Sequence, residues 1–302
     1  MVAPASLPHS TAVATPAQWL EGARPRTLPA SISPVLVGSG AAASVGSFVA
    51  WRAALALVVA LALQIGCNYA NDYSDGIRGT DDHRVGPRRL VASGAASPSA
   101  VRTAAFACFA VAALCGLVLA LATAWWLILV GAAAVAAAWF YTGGSRPYGY
   151  HAMGEVSVFV FFGLVATVGT TYVQTSRVTW PAVAGAIAIG ALTCAILVAN
   201  NLRDIPTDAA SGKRTLAVVM GDHRTRHLYA ALHGVAYLVV AVLAATTEVW
   251  VLLAWLALPL AVRPVRQVLR GAEGRALIGV LRDTGLAEIA FAVLLTVGLV
   301  LS

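Results

Sequence analysis

Long apolar segments recur along almost the whole chain, and they constrain the fold more than any other feature. A helix needs about 20 apolar residues to span the hydrocarbon core of a bilayer. Only 11% of the 302 residues are charged, whereas soluble domains carry roughly 25%, and the mean hydropathy is +0.80. Nine segments have the required character: 28–47, 50–71, 100–122, 124–142, 154–174, 181–202, 227–246, 249–263 and 284–301.

The pattern predicts an all-α fold, namely a polytopic membrane protein with about nine transmembrane helices around a central cavity. Residues 28–302 form a single transmembrane domain in this interpretation. Residues 1–27 form a cytoplasmic tail with a short interfacial helix, since Thr15 followed by Pro16 is typical of a helix N-terminus. The eighth segment is short and contains Pro259, so it fits the spanning pattern least well.

Lysine and arginine residues are distributed asymmetrically between the loops. All 20 except Arg52 and Arg177 fall in segments that the alternation of spans places on one side. Cytoplasmic loops carry an excess of positive residues. We therefore expect a multi-pass protein of the cell membrane, with the N-terminus and the long polar loops cytoplasmic and the C-terminus outside. The net charge of +7 then reflects topology and an anionic bilayer surface, so we expect the lipid bilayer as a partner and no nucleic acid.

Two of the predicted spans end in the same pattern of an amide and a carboxylate. Asn68-x-x-x-Asp72 closes the second span, and Asn200-x-x-x-Asp204 closes the sixth. Residues three and four apart share a helix face, so Asp75 and Asp208 continue the two polar faces. Because four spans separate the patterns, we also consider an internal duplication of a four-helix unit, with the two polar ends facing each other across the cavity.

Carboxylates at this density repel one another unless a cation joins them. Charges at bilayer depth cost at least about 2.5 kcal/mol each, which favours a functional interpretation over a structural one. Hard oxygen ligands suit Mg²⁺, which prefers a few carboxylates together with waters and substrate phosphates. The sequence thus predicts Mg²⁺ and a phosphate-bearing substrate. The candidate metal ligands are Asp72, Asp75, Asp81, Asp204 and Asp208.

Basic residues follow both patterns and agree with a phosphate-bearing substrate. Arg78 and Arg84 follow the first, and Lys213 and Arg214 follow the second. A diphosphate leaving group needs cationic donors to neutralise its developing charge. The alternative is that these residues only reflect the excess of positive charge in cytoplasmic loops, and that the aspartates are merely hydrated helix ends.

The segment YTGGSRPYGYHAMGE, from Tyr141 to Glu155, joins the fourth and fifth spans as a shaped turn. Tyr141, Tyr148 and Tyr150 are candidates to face the cavity, where an aromatic ring stabilises a cation. Tyr141 is singled out because it ends a span. The alternative is an interfacial belt of tyrosines.

Four stretches resemble the UbiA-type intramembrane aromatic prenyltransferases. They are ARPRTLPASISPVLVGS, NYANDYSDGIRGTD, YTGGSRPYGYHAMGE and NNLRDIPTDAASGKRTLAV. The amino-acid sequences of the last two stretches are most similar to those of the branch that prenylates 1,4-dihydroxy-2-naphthoate in menaquinone synthesis. The resemblance implies Mg²⁺-dependent transfer of a polyprenyl group from polyprenyl diphosphate to the ring carbon that bears the carboxylate. Diphosphate and CO₂ leave, and the product is a demethylmenaquinol precursor.

The resemblance also implies roles for particular residues. Asp72 and Asp75 would hold one metal, and Asp204 and Asp208 the other. Asp81 occupies the third acidic position, but it follows Asp75 by six residues instead of the usual four, so that Asp82 is an alternative. The implied supporting amides are Asn68, Asn71, Asn200 and Asn201. The implied diphosphate clamp is Arg78, Arg84, Lys213 and Arg214, and Arg24 or Arg26 would pair with the acceptor's carboxylate.

Small residues within the spans have two interpretations. Gly66, Ala70, Gly163 and Gly190 would leave room for a long prenyl chain, or they are sites of close helix packing, which is the commoner use.

Three other functions are weighed against this one. A relative within the same superfamily would use another aromatic acceptor, 4-hydroxybenzoate. A CDP-alcohol phosphotransferase shares Asp72-x-x-Asp75-Gly76, but here Gly79-Thr80 replaces the Ala-Arg that its motif requires. A secondary transporter would place its charges near the midplane instead of at one face. The hydrophobicity excludes a soluble prenyl synthase.

Overall fold

Every regular element of the protein is a helix in the computed structural model, which describes residues 14–80 and 89–302. A single isolated backbone bridge, between His151 and Arg214, accompanies the helices in these ranges. The α-helices are α1 (Pro16–Gly22), α2 (Pro29–Ala43), α3 (Ala50–Arg78), α4 (Pro98–Thr123), α5 (Leu127–Phe140), α6 (Gly154–Val158), α7 (Ala166–Thr175), α8 (Trp180–Ala210), α9 (Leu216–Met220), α10 (Asp222–Thr246), α11 (Leu258–Leu269) and α12 (Ala276–Leu301).

Irregular helical segments complete several of these elements. A π-helical segment, Phe159–Val165, joins α6 and α7 into one rod, and a 3₁₀ segment, Val249–Ala257, leads into α11. Short 3₁₀ turns occupy Pro25–Thr27 and Tyr148–Tyr150. The π-helical segment widens the helix beside the cavity described below, where such segments are frequent.

Seven helical segments are long and apolar enough to cross a membrane, among the residues that the structure describes. They are Ala50–Arg78, Pro98–Thr123, Gly154–Thr175, Trp180–Ala210, Asp222–Thr246, Val249–Leu269 and Ala276–Leu301. The multi-span membrane character is therefore confirmed, but the count of nine is not. The first and fourth predicted spans are the short helices α2 and α5, with 15 and 14 residues. At 1.5 Å per residue they measure only about 21–23 Å, less than the hydrocarbon thickness.

Helix ends follow local capping chemistry. The Thr15 side chain accepts the Gln18 amide and forms a capping box, with Pro16 in the first turn, so the predicted N-terminus of α1 is confirmed. The Thr179 side chain accepts the Ala182 backbone N–H and caps α8. α3 is capped at its C-terminus by Gly79, whose φ of 71° is left-handed and favours glycine.

The two motif helices extend well past the predicted spans. α3 continues to Arg78 instead of ending at 71, and α8 continues to Ala210 instead of ending at 202. The apolar run stops earlier than the helix because the added turns carry the polar motif residues, of which Asp72, Asp75, Asp204 and Asp208 are buried within the protein. α8 is central, since 83% of its most apolar window is buried, and it packs against α2, α10, α12 and the π-helical segment.

Glycines in the spans serve close packing. A Cβ on Gly163 would lie 2.7 Å from the Gly190 Cα, and a Cβ on Gly66 would lie 2.6 Å from the Phe109 ring. Ala70 is fully buried. Of the two interpretations of these four residues, helix packing is therefore the one that the structure supports.

Candidate active site

A large cavity of about 1010 Å³ lies between the motif helices α3 and α8. One end is polar and is lined by amides, carboxylates and basic side chains. The other end is apolar and is lined by α4, α5 and the rod that contains the π-helical segment. Its apolar lining includes Val35, Val59, Leu63, Leu119, Leu127, Val130, Phe161, Phe162, Val165 and Val173. A site of this shape accommodates a molecule with a charged head and a long apolar tail.

The first motif lies at the polar end. Asn68, Asn71, Asp72 and Asp75 all line the cavity, although each side chain is at least nine-tenths buried. Asn71 accepts a hydrogen bond from the Thr142 hydroxyl at 2.7 Å. Asn68 donates to the Ala23 carbonyl at 2.9 Å and thereby holds the N-terminal segment against α3.

Asp72 also holds the chain that returns after the first motif. Its two carboxylate oxygens accept the backbone N–H groups of Leu90 and Val91, at 2.8 Å and 2.9 Å. Each carboxylate oxygen has about two lone pairs, so one amide on each still leaves acceptor capacity for a further partner. Asp72 therefore fixes the turn at 89–94 and faces the cavity at the same time.

The second motif contributes its amides to the cavity and keeps its carboxylates beside basic partners. Asn200 and Asn201 line the cavity. Asp204 is bridged by Arg203, whose Nε and Nη2 atoms donate to the two carboxylate oxygens at 2.7 Å each. Asp208 lies 3.8 Å from the Lys213 ammonium. Within the described part of the chain, neither Asp204 nor Asp208 lines the cavity itself.

The structure places the residues of the predicted diphosphate clamp in different surroundings. Lys213 lines the cavity, whereas Arg214 is exposed and lies outside its lining. Arg78 donates to the backbone carbonyls of Thr142 and Gly144, so it tethers the turn after α5. Two further predicted residues, Asp81 and Arg84, lie outside the described residues, as does Asp82.

Two of the five cations in the described cavity lining, Arg89 and Arg203, were not predicted from the sequence. Arg24, Arg26, Arg89, Arg203 and Lys213 line the cavity, against only Glu21, Asp72 and Asp75 as carboxylates in the described ranges. Arg24 has a left-handed φ of 55°, an uncommon and strained conformation for a residue other than glycine. The net excess of positive charge suits an anionic ligand. Arg203 lies within the segment NNLRDI, and its position between Asn200 and Asp204 is the sequence feature that could have identified it as a site residue.

The tyrosines of the turn after α5 have different surroundings. Tyr141 and Tyr148 line the cavity. Burial raises the pKa of Tyr148 to about 12, and the Ser157 hydroxyl at 2.8 Å is its side-chain partner. Tyr150 lies behind the cavity wall and donates its hydroxyl to Asp75 at 2.7 Å. Burial is the main cause that raises the pKa of Tyr150 above its ordinary value, so its phenol is a stable donor at neutral pH.

Two buried glutamates escaped the sequence interpretation. Glu155 accepts a hydrogen bond from Asn201 at 2.9 Å and supports the second motif from behind. Glu288 is fully buried in α12 and accepts the Thr193 hydroxyl at 2.8 Å. An acidic residue within an apolar span is a functional signal in itself, and Glu288 is such a residue in the predicted span 284–301.

The donor set fits Mg²⁺ bound together with a phosphate ligand. Within the described ranges, no three histidine, cysteine or acidic side chains converge to form an all-protein metal cage. Mg²⁺ does not require one, because it usually binds one or two carboxylates and completes its shell with waters and substrate phosphates. Asp72 and Asp75 supply hard oxygens in the cavity beside Asn68 and Asn71, which matches that requirement.

Comparison with known proteins agrees with this arrangement. Residues 31–277 match the model of the UbiA prenyltransferase family. The chain is 59% identical over 276 residues to the 1,4-dihydroxy-2-naphthoate octaprenyltransferase of Mycobacterium tuberculosis, covering 91% of this chain and 94% of the relative. It is 35% identical over 293 residues to the enzyme of that name from Escherichia coli, covering 94% and 95%.

Solved structures agree on the fold. A UbiA homolog from Aeropyrum pernix superimposes with a TM-score of 0.68 at 15% identity, covering 90% of this chain and 97% of that one. A UbiA homolog from Archaeoglobus fulgidus bound to GPP and Mg²⁺ superimposes with a TM-score of 0.64 at 15% identity, covering 93% and 100%.

Proposed function

The chain belongs to the UbiA prenyltransferase family, and from this premise we propose that it transfers a polyprenyl group from polyprenyl diphosphate to 1,4-dihydroxy-2-naphthoate. The observation that carries the proposal is the cavity, in which buried carboxylates, amides and five cations at one end meet an apolar channel at the other. The relatives from M. tuberculosis and E. coli, named for this acceptor, support the choice of substrate.

In the reaction two single bonds break and one carbon–carbon bond forms. The bond between the allylic carbon and the diphosphate oxygen breaks, and that carbon joins the ring carbon that bears the carboxylate. The bond from the ring to the carboxylate then breaks, CO₂ leaves, and its electron pair restores the aromatic ring. Diphosphate and a demethylmenaquinol are the other products.

The acidic and amide residues hold the donor's head. Asp72 and Asp75 bind Mg²⁺ from α3, and Asn68 and Asn71 position them. When bound, Mg²⁺ neutralises charge that develops on the departing diphosphate. The structure of the A. fulgidus homolog with GPP and Mg²⁺ supports this cofactor.

The second motif completes the head site from α8. Asp204 and Asp208 hold the cavity-lining Arg203 and Lys213, and we assign these carboxylates as the second pair that would bind Mg²⁺. Asn200 and Asn201 contribute amides to the same end. Arg214, and Arg84 and Asp81 outside the described residues, remain part of the proposed head site on sequence grounds alone.

Cations in the cavity bind the diphosphate and the acceptor's carboxylate. The diphosphate is bound by three cavity-lining cations, Lys213, Arg89 and Arg203. Arg78 supports the site by tethering the turn after α5. Arg24 or Arg26, at the entrance to α2, pairs with the carboxylate of the naphthoate. Tyr141 faces the allylic cation, whose charge its ring stabilises.

The apolar end excludes water from the reacting carbon. Water would trap an allylic cation, so a dry wall is part of the chemistry. The tail runs along α4, α5, the π-helical segment and α7, where the described cavity-lining glycines include Gly116, Gly131 and Gly169. Nothing lies within 4 Å of a Cβ built on any of these three.

The enzyme lies in the bacterial cell membrane with the head site at the cytoplasmic face. The distribution of positive residues supports this orientation, because only Arg52 and Arg177 fall on the other side. Labelling of single cysteines placed in the loops around 95 and 177, in intact cells and in inverted vesicles, tests the orientation. Access to 177 from outside and to 95 from inside is the expected pattern.

The activity is tested with the purified chain in lipid nanodiscs. It should consume polyprenyl diphosphate and 1,4-dihydroxy-2-naphthoate only with Mg²⁺, and release ¹⁴CO₂ from a carboxyl-labelled acceptor. 4-Hydroxybenzoate, offered beside the naphthoate, is the matched competitor. Preference for the benzoate, or release of prenylated product without CO₂, would overturn the proposed acceptor.

A further inference from the structure

Tyr150 lies where the two motif segments approach each other, and it contacts both. Its hydroxyl reaches Asp75 in α3, its ring lies beside Lys213 after α8, and its carbonyl binds the chain at Arg214. We propose that Tyr150 is a positioning residue that couples the two aspartate motifs, so that Mg²⁺ and diphosphate binding depend on each other. The inference rests on the proposed function and assigns this site a residue that does not line the cavity.

The hydroxyl orients the first motif. Tyr150 donates to Oδ1 of Asp75 at 2.7 Å, and the Thr80 hydroxyl lies 3.4 Å from the Tyr150 oxygen. Asp75 is 4% exposed, so water does not compete freely for this bond. A carboxylate held through one oxygen retains the other for a ligand and loses rotational freedom, which lowers the entropic cost of binding a metal.

The ring orients the second motif. The Lys213 ammonium lies 5.1 Å from the ring centroid, and the Arg78 guanidinium lies 5.8 Å from it. Both distances are within the range of cation–π attraction. Lys213 also lies 3.8 Å from Asp208, so the ring and the carboxylate together confine a side chain that otherwise has four free torsions.

The backbone around Tyr150 is fixed independently of these side-chain contacts. The Arg214 N–H donates to the Tyr150 carbonyl at 3.1 Å, and His151 and Arg214 form an isolated bridge. The neighbouring Gly149 donates to the Tyr141 carbonyl at 3.0 Å, and a Cβ on Gly149 would lie 2.6 Å from that oxygen. The turn is therefore held against both α5 and the segment after α8, and the ring position follows from it.

Coupling follows from these three contacts. Binding of Mg²⁺ at Asp75 fixes the Tyr150 hydroxyl, and the same ring holds the lysine that meets the diphosphate. Binding free energies are reciprocal, so each ligand improves the affinity for the other by one common factor. Removal of Tyr150 should reduce that factor, while each ligand keeps its own contacts.

Two substitutions separate the hydroxyl from the ring. Tyr150→Phe removes the hydrogen bond to Asp75 and keeps the ring, whereas Tyr150→Leu removes both. Tyr229→Phe is the matched control, because its buried hydroxyl lies 2.6 Å from Thr284 in a part of the protein that does not line the cavity. Each protein is purified in nanodiscs and titrated with Mg²⁺ and with inorganic diphosphate, and the thermal midpoint is recorded with and without the ligands. Steady-state turnover gives the Mg²⁺ requirement and the KM for the donor.

The variants should differ in a defined order. Tyr150→Phe should raise the Mg²⁺ concentration for half-maximal turnover by about tenfold, as expected for one lost hydrogen bond to a charged group, with little change in donor KM at saturating Mg²⁺. Tyr150→Leu should raise both quantities and abolish most of the mutual enhancement between Mg²⁺ and diphosphate. Tyr229→Phe should lower the basal thermal midpoint but keep the full ligand-induced increase.

Other results would overturn the inference. If Tyr150→Phe keeps the wild-type Mg²⁺ requirement and ligand-induced increase, Tyr150 does not position Asp75. If both Tyr150 variants lose stability and retain the mutual enhancement, its role is only structural. A wild-type protein that does not respond to Mg²⁺ with diphosphate would instead refute the proposed function, so the two failures are distinguishable.

Discussion

Asp72→Asn should loosen one turn of the protein as well as stop the reaction. The Asp72 carboxylate accepts the amides of Leu90 and Val91, one on each oxygen. An asparagine offers one acceptor oxygen, so its NH₂ group would face the other backbone N–H. Leu90 is 2% exposed, and water is poorly placed to replace the lost bond. A hydrogen bond to a charged group contributes about 1.5–3 kcal/mol, which corresponds to an about 10- to 150-fold easier opening of this turn.

Amide hydrogen exchange measures this opening directly. In nanodiscs, the segment 89–96 of Asp72→Asn should exchange faster by that factor, while α10 and α12 exchange as in the wild type. Asp75→Asn is the matched control, because Asp75 bonds to the Tyr150 side chain and not to the turn. It should lose turnover and keep the protection of 89–96. Unchanged protection in Asp72→Asn would refute the proposed tether, and normal turnover in either variant would refute the metal assignment.

Three further changes test the packing and the charges. Gly163→Ala should destabilise the protein by about 1–3 kcal/mol, because its Cβ would lie 2.7 Å from the facing helix backbone; the control Gly234→Ala, with nothing within 4 Å, should not lower the thermal midpoint. Arg203→Lys should lower that midpoint and raise donor KM, since an ammonium cannot bridge both oxygens of Asp204. The Tyr148 pKa of about 12 exceeds the ordinary value of 10.0, so its stabilising contribution is complete below pH 10 and is lost as the pH rises through 12. An ultraviolet phenolate titration should lose a step near pH 12 in Tyr148→Phe.

The membrane character and the two motifs were readable from the sequence because they depend on local properties. Hydropathy is summed over neighbouring residues, and the spacing of Asn68 and Asp72 places them on one helix face whatever the helix packs against. The prediction of a multi-span, all-helical protein is confirmed, and so is the membership of the UbiA family. The count of nine spans is not confirmed, because α2 and α5 have only 15 and 14 residues and are shorter than the apolar stretches around them.

The working arrangement of the site depended on contacts between distant residues. Arg78 follows the first motif just as Lys213 follows the second, yet only Lys213 lines the cavity, because carbonyls some 64 residues away capture Arg78. Asp75 meets a donor 75 residues away in Tyr150.

The sequence by itself thus determined which chemical groups are present, on which helices they lie and that those helices belong in lipid. The tertiary structure decided which groups face the cavity and which are held by neighbouring residues. It also decided which glycines allow close helix packing and which leave open space in the cavity. The physical reason is that helix formation and hydropathy are properties of consecutive residues. The partner of a buried polar group is instead chosen by the packing of the whole chain. The segment around Asn68 and Asp72 illustrates both points. Its helix can be predicted from consecutive residues, whereas its hydrogen bonds join it to Ala23 and Leu90, which are distant in sequence.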